Sequence, residues 1–244
     1  MIDLHCHILP KIDDGAKDVD EAELMLDMQR SSGVKRVFLT PHFYPEEKTI
    51  DTFLSERENA WNVLNAAHMD RENMQLRLGA EVRYGEQLLS LDLNALTLGE
   101  SNYLLLELPG SRYPSHLPRF LEELLDKGLI PILAHVERYN YFRQESELLR
   151  ELVDLGVLAQ ISAQTLFDKR DMNFSVACLA HGLAHIVASD AHNANDRRPC
   201  MEEIRKLPEE LRQLNEAATT AVWDNELPPY IRTTAMKKNL FGYR

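Results

Sequence analysis

Two histidines one residue apart, His5 and His7, stand at the end of the first apolar run of this 244-residue chain. In a strand, side chains at i and i+2 share a face, so both imidazoles can reach one metal ion. A His-x-His pair alone is a weak signal, because such pairs also pack structurally. Its company strengthens it. His42 follows Thr40-Pro41, Glu81 ends Gly79-Ala80-Glu81, and Glu107 closes the run Leu104-Leu105-Leu106, where an unpaired charge is costly. His135 ends the run from Ile130, Asp190 and His192 fall within Ser189-Asp190-Ala191-His192-Asn193, and Asp14 lies in the loop after the first run. Singly, these could cap a turn, pair with a buried Arg or cap a helix. Together they put nitrogen or oxygen donors at the ends of six of seven apolar runs, which is the pattern of a metal centre. Five histidines and four carboxylates exceed the needs of one catalytic ion with an open position. Two or three divalent ions are expected, and mixed N/O donors suit Mn²⁺, Fe²⁺ or Zn²⁺ better than Mg²⁺.

Clustered divalent ions acidify a bound water and clamp the attacking and leaving oxygens of an in-line displacement, which suits phosphate-ester hydrolysis. Such a reaction also needs cations for the non-bridging oxygens. Arg138, three residues after His135, and Arg197, seven after Asp190, are the candidates. Arg198 is adjacent; spacing favours Arg197 and the Arg-Pro context favours Arg198. A cysteine mechanism is excluded by the letters, since the sixth residues after Cys6, Cys178 and Cys200 are Ile12, Ala184 and Lys206 rather than Arg. Cys6 alternates with His5 and His7 and reads as a buried structural thiol. There is no Gly-x-Ser-x-Gly elbow and no Walker loop.

The elements that must position these groups are legible as alternation. Candidate strands are Ile2–His5, Val37–Thr40, Leu76–Glu81, Tyr103–Leu108, Ile130–His135, Val157–Ser162 and His185–Asp190. Between them lie helical repeats: Val19, Ala22, Met25 and Leu26 before Gly33; Thr49–Arg71 with Phe53, Trp61 and Leu64; Leu117, Phe120, Leu121 and Leu124 before Gly128; and Leu148, Leu149 and Leu152 before Gly156. This predicts α/β architecture, a seven-unit parallel β/α barrel over a single domain 1–244, with the site at the strand C-termini. The tail from Trp223 to Arg244, with Pro228 and Pro229, is expected to be a closing helix or arm.

A net charge of −12 disfavours nucleic acid and anionic membrane surfaces. No apolar run approaches the ~20 residues needed to span a bilayer, and no secretory stretch opens the chain. Three cysteines without knuckle spacing point to a reducing cytoplasm rather than a disulfide framework.

The segments Met1–Pro10 with Asp13–Lys17, Thr40-Pro41-His42, Gly79-Ala80-Glu81, Leu106–Pro109, Ala134–Tyr139 and Ala188–Asn193, in this order, closely resemble the PHP-type bacterial protein-tyrosine phosphatases. These are the CpsB/YwqE-type enzymes of capsule and exopolysaccharide systems. The resemblance runs from residue 1 to about 205 and is least after Pro208. It implies a distorted (β/α)7 barrel (the PHP fold) carrying a trinuclear, usually manganese-activated site. The implied metal ligands are His5, His7, Asp14, His42, Glu81, Glu107, His135, Asp190 and His192, with Arg138 and Arg197 on the phosphate; of the adjacent Asp13 and Asp14, family position selects Asp14. The implied substrate is phosphotyrosine on the tail of a cognate tyrosine autokinase, hydrolysed by metal-bound hydroxide without a cysteine nucleophile. Cys6 replaces the usual Ser and Val136 the usual Pro, neither of them a ligand. Rival readings are a phosphatase of a small phosphoester such as histidinol phosphate, a metal-binding scaffold of a polysaccharide assembly complex, and an amidohydrolase, whose carboxylated lysine is not apparent. The sequence leaves the oligomeric state open.

Overall fold

A computed structural model describes residues 1–67, 74–168, 170–236, 238–239 and 242–243. Seven strand positions follow one another around a curled sheet. They are β1 (Ile2–Cys6), β2 (Arg36–Leu39) continued by β3 (His42–Phe43), β4 (Gln75–Leu78) continued by β5 (Glu81–Arg83), β6 (Tyr103–Glu107), β7 (Ile130–Leu133), β8 (Leu158–Ser162) and β9 (Ile186–Ala188). Pairing is parallel throughout, in the orders β1-β2-β4 and β3-β5-β6-β7-β8-β9. The two breaks have different causes. Pro41 lacks a ladder donor, and Gly79 sits so tightly that a Cβ there would lie 2.8 Å from Leu98 Cδ2. The sequence reading of Leu76–Glu81 as one strand is therefore corrected to two short ones. A parallel bridge between Cys6 and Ala191 joins the first strand to the segment after the last.

Helices α1 (Val19–Ser31), α2 (Ile50–Ala66), α3 (Leu117–Asp126), α4 (Asn140–Gln144), α5 (Ser146–Asp154) and α6 (Met172–Ala180) fill the crossovers, and 3₁₀ turns alone link β5 to β6. Asp18 caps α1 by accepting from the Glu21 N–H at 2.9 Å, and Thr49 caps α2 through the Thr52 N–H. The helix expected over Thr49–Arg71 thus covers Ile50–Ala66, and the portion 68–71 lies outside the described residues. α3 buries Leu117, Phe120, Leu121 and Leu124, one stripe at helical spacing.

Alternate residues of β6 share a face. Tyr103 and Leu105 therefore lie on the face that ends in Glu107, and they join Leu4, Phe38, Ile132, Leu158 and Ile186 in an apolar cluster. Helix α7 (Glu209–Asp224) closes that cluster with Ala218, Val222 and Trp223. Trp223 is thus the end of a packed helix rather than the start of a tail; its ring faces Phe38 at 4.8 Å and lies under the Arg77 guanidinium at 4.0 Å. Beyond it the chain is an arm, ending in a short antiparallel pair of β10 (Lys238–Asn239) and β11 (Gly242–Tyr243); positions 237, 240, 241 and 244 of the expected tail lie outside the described residues. Among the described residues no helix is long and apolar enough to cross a membrane.

Candidate metal centre

Strand register does the first part of the positioning. His42 pairs directly with Glu81 across β3 and β5, and Arg83 with Glu107 across β5 and β6. His5 and His7 come from the end of β1, His135 from the residues after β7, and Asp190 and His192 from the segment after β9. Two of these residues turn the backbone into the left-handed region, His135 at φ 33° and Asp190 at φ 50°. A Cβ disfavours that conformation, so each is held by its neighbours. The His135 N–H donates to Gln160 Oε1 at 2.8 Å, and the Asp190 N–H to the His5 carbonyl at 2.8 Å.

Glu81 is the hub. Its Oε2 lies 3.1 Å from His5 Nε2, 3.2 Å from His7 Nε2 and 3.1 Å from His42 Nδ1, while Oε1 lies 2.8 Å from His135 Nε2. Asp190 Oδ1 is 3.4 Å from His5 Nε2 and 3.5 Å from His192 Nδ1. Asp14 Oδ1 is 3.4 Å from His42 Nε2 and 3.5 Å from His192 Nε2. Three groups have all their donor atoms within 4.8 Å of one another: His7, Asp14, His42 and His192; His5, His7, Glu81 and Asp190; and His42, Glu81 and Glu107. His135 reaches the cluster through Glu81 and is in none of the three.

The donors suit divalent ions on a further ground. His42 Nδ1, Glu81 Oε2, Glu107 Oε2, His135 Nδ1 and His192 Nε2 are buried and make no hydrogen bond. Orphaned lone pairs in one place cost free energy unless a cation takes them. The clustered sites accord with two to three divalent ions, and Glu81 belongs to two of the three groups that would hold them.

Two residues that the sequence reading did not assign hold the donors from behind. Asp13 Oδ2 accepts from His7 Nδ1 at 2.7 Å and from the His42 backbone N–H at 3.0 Å, so Asp13 orients the His7 imidazole and holds the His42 backbone while Asp14 faces the donor groups. Gln160 Oε1 lies 3.2 Å from His5 Nδ1 and takes the His135 N–H. Gln160 had a readable signal: it stands among apolar residues inside the candidate strand Val157–Ser162, the one strand that offers no His, Asp or Glu at its end. Gly15 makes the Asp13 loop possible, since a Cβ there would lie 2.1 Å from the His7 carbonyl.

Arg138 and Arg197 converge on Asp190. Arg138 donates to Asp190 Oδ2 and to Ser162 Oγ at 3.3 Å; Arg197 donates to the same Asp190 Oδ2 at 3.2 Å and lies 3.8 Å from Asp14 Oδ2. Arg198 turns away to Glu202 at 3.0 Å, so proximity separates the two neighbours. Burial by itself would raise Asp190, but Arg138 and the nearby imidazoles hold it well below the usual carboxylate range. Burial likewise opposes ionisation of Glu81, and His5 and His135 outweigh it. For His7 burial favours the neutral ring, yet Asp13 and Glu81 prevail and raise it to about 10. Burial and the His7 charge lower His192 to about 3.

No thiol contributes. Cys6, Cys178 and Cys200 are buried and unpaired, burial drives all three upward, and Cys6 Sγ is spent on the Phe38 carbonyl at 3.3 Å.

A protein-family model described as "Capsular polysaccharide synthesis, CpsB/CapC" matches residues 1–226. The chain belongs to the CpsB/CapC family of bacterial tyrosine phosphatases. Within it, the tyrosine-protein phosphatase YwqE of Bacillus subtilis is 36% identical over 210 residues, 81% of this chain and 79% of the relative. The tyrosine-protein phosphatase CpsB of Streptococcus pneumoniae is 31% identical over 222 residues, 83% of this chain and 87% of the relative. A solved structure from the work on YwqE and CpsB, described as unique metal-dependent tyrosine phosphatases, superposes with TM-score 0.79 at 27% identity, over 96% of this chain and 100% of that chain. CpsB/CapC membership and the donor cluster together make this chain a metal-dependent phosphatase. The family match reaches past residue 205 to include α7, which corrects the shorter extent read from the motifs.

Proposed function

We propose that this chain is a protein-tyrosine phosphatase acting on a cognate bacterial tyrosine autokinase that governs capsule or exopolysaccharide synthesis. The observation that carries the reading is the convergence of two guanidinium groups on Asp190 Oδ2 beside nine clustered donors. In this reading His5, His7, Asp14, His42, Glu81, Glu107, His135, Asp190 and His192 are the metal ligands of a two- or three-ion site, with Mn²⁺ the native metal and Fe²⁺ or Zn²⁺ able to replace it. The parallel strands close as a distorted (β/α)7 barrel through the Cys6–Ala191 bridge, in one domain that includes α7. The three unpaired cysteines favour the cytoplasm.

Divalent ions held there supply Lewis acidity and a water of lowered pKa. The chain's own part is electrostatic and geometric. Arg138 and Arg197, neutralised by Asp190 while the site is free, turn to the non-bridging oxygens of a bound phosphate and stabilise their charge. Asp13 and Gln160 keep the imidazoles aimed, and no side-chain nucleophile is required. A phenolate of pKa about 10 leaves more readily than an alkoxide, which suits tyrosine over serine.

The test is a substrate panel with Mn²⁺: a phosphotyrosyl peptide, histidinol phosphate and p-nitrophenyl phosphate. Preference for the peptide, lost in His135→Ala, is expected. Preference for histidinol phosphate would replace the protein substrate by a small phosphoester, and turnover no higher than that of His135→Ala would leave only a scaffold.

A further inference from the structure

Beside the donor cluster lies a cleft of about 360 Å³ whose lining includes Tyr84, Glu86, Pro109, Arg112, Tyr113 and Pro114. Two segments of the chain tie it to the site. Tyr84 follows Arg83 at the end of β5, its N–H donates to the Glu107 carbonyl at 2.8 Å, and Pro109 stands two residues after Glu107. The walls are fixed by packing. Tyr84 meets Phe120 edge-on at 4.9 Å, Tyr113 meets Tyr141 edge-on at 5.6 Å, and the Tyr141 hydroxyl donates to the Pro109 carbonyl at 3.1 Å. Tyr84, Pro109, Tyr113 and Pro114 give the cleft an apolar side and Glu86, Arg112, Ser115 and His116 a polar one, a mixed surface that an extended peptide can lie against.

Charge then distinguishes one residue. Arg83, nearer the donors, is engaged by Glu46 at 3.5 Å and Glu107 at 3.6 Å. Arg112 is exposed at the lip of the cleft and, among the described residues, makes no ion pair or side-chain hydrogen bond. Glu86, on the 3₁₀ turn after β5, is the acidic residue of the same lining, so Arg112 is the group there that attracts an acidic side chain.

We propose that this cleft docks the peptide flanking the phosphorylated tyrosine, with Arg112 pairing with an acidic residue of that peptide. The proposal rests on the phosphotyrosine reading, and its test separates the two. Wild-type enzyme and Arg112→Glu are compared on three substrates: a phosphotyrosyl peptide with glutamates around the tyrosine, the same peptide with lysines in their place, and p-nitrophenyl phosphate. The wild type is expected to favour the glutamate peptide; Arg112→Glu should lose about tenfold in kcat/KM on it, mostly through KM, and gain on the lysine peptide. Turnover of p-nitrophenyl phosphate should stay the same, since Arg112 touches none of the donors. Tyr113→Leu should weaken both peptides and spare the small substrate. If the variants treat both peptides as the wild type does, or lose p-nitrophenyl phosphate turnover in step with the peptides, the docking surface is wrong. A wild type that turns over p-nitrophenyl phosphate but neither peptide would instead overturn the phosphotyrosine reading.

Discussion

His7 Nδ1 lies 2.7 Å from Asp13 Oδ2, on the side of the ring away from Glu81. That contact holds Nδ1 as a donor and turns Nε2 toward Glu81 Oε2 and His5. Outer-shell carboxylates of this kind typically matter 10–100-fold to metal affinity. Asp13→Ala is expected to lower metal affinity by about that factor, with a milder effect for Asp13→Asn, whose amide oxygen can still accept. Metal titration against a competing chelator reads this directly, and unchanged affinity in both variants would remove the role.

Proton release should accompany loading. In the metal-free protein His7 is held at about 10, so it is protonated at neutral pH. A metal ion needs its lone pair, so binding expels that proton and apparent affinity rises with pH up to that value. Calorimetry in buffers of different ionisation enthalpy should report about one proton or more released per loaded site at pH 7. Affinity independent of pH between 6 and 8 would contradict it.

Arg138 and Arg197 share an oxygen of Asp190, and so act as a unit. Either one replaced by Ala should cost about 10²-fold in kcat/KM, and the double variant less than the product of the two. Lysine should not rescue Arg138, whose planar fork also reaches Ser162. Arg198→Ala, which loses a contact to Glu202, should stay within about threefold of wild type.

Thiol chemistry is predicted to be silent. Cys6→Ser keeps a donor for the Phe38 carbonyl, and the buried thiols resist alkylation because burial raises them, Cys200 to about 12. Activity should survive iodoacetamide and disappear with a chelator, returning when divalent ions are restored. Inactivation by the alkylating agent in folded protein would put a thiol back into the mechanism.

Stability has its own pH signal away from the metal donors. His185 is buried, its Nδ1 accepts from the Ala159 N–H at 3.2 Å, and burial lowers it to about 4. Its folded value lies below the unfolded 6.5, so the unfolded chain binds more protons in between. The contribution is complete above about 6.5 and is lost as pH falls toward 4, at most about 3 kcal/mol. Denaturant unfolding across that range should show a shallower pH slope in His185→Gln than in wild type.

Residue types and spacing were enough for the alternation of strands and helices and for naming nine candidate donors, because a parallel β/α arrangement sends every strand end to one face and periodicity is a local property. They were not enough to separate Arg197 from Arg198 or Asp13 from Asp14. Adjacent residues of the same type differ only in where the backbone aims them, and that is set by distant partners such as Glu202 and His7. The same holds for Gln160, whose use depends on β8 lying beside β7. The break after Leu78 and the packing of Trp223 on Phe38 also waited for the tertiary structure, since they come from pressure of one element on another. What the sequence determined by itself was the chemistry available; how the donors gather around Glu81, and which groups hold them in place, was decided by the fold that brings β1, β3, β5, β6, β7 and β9 to one point.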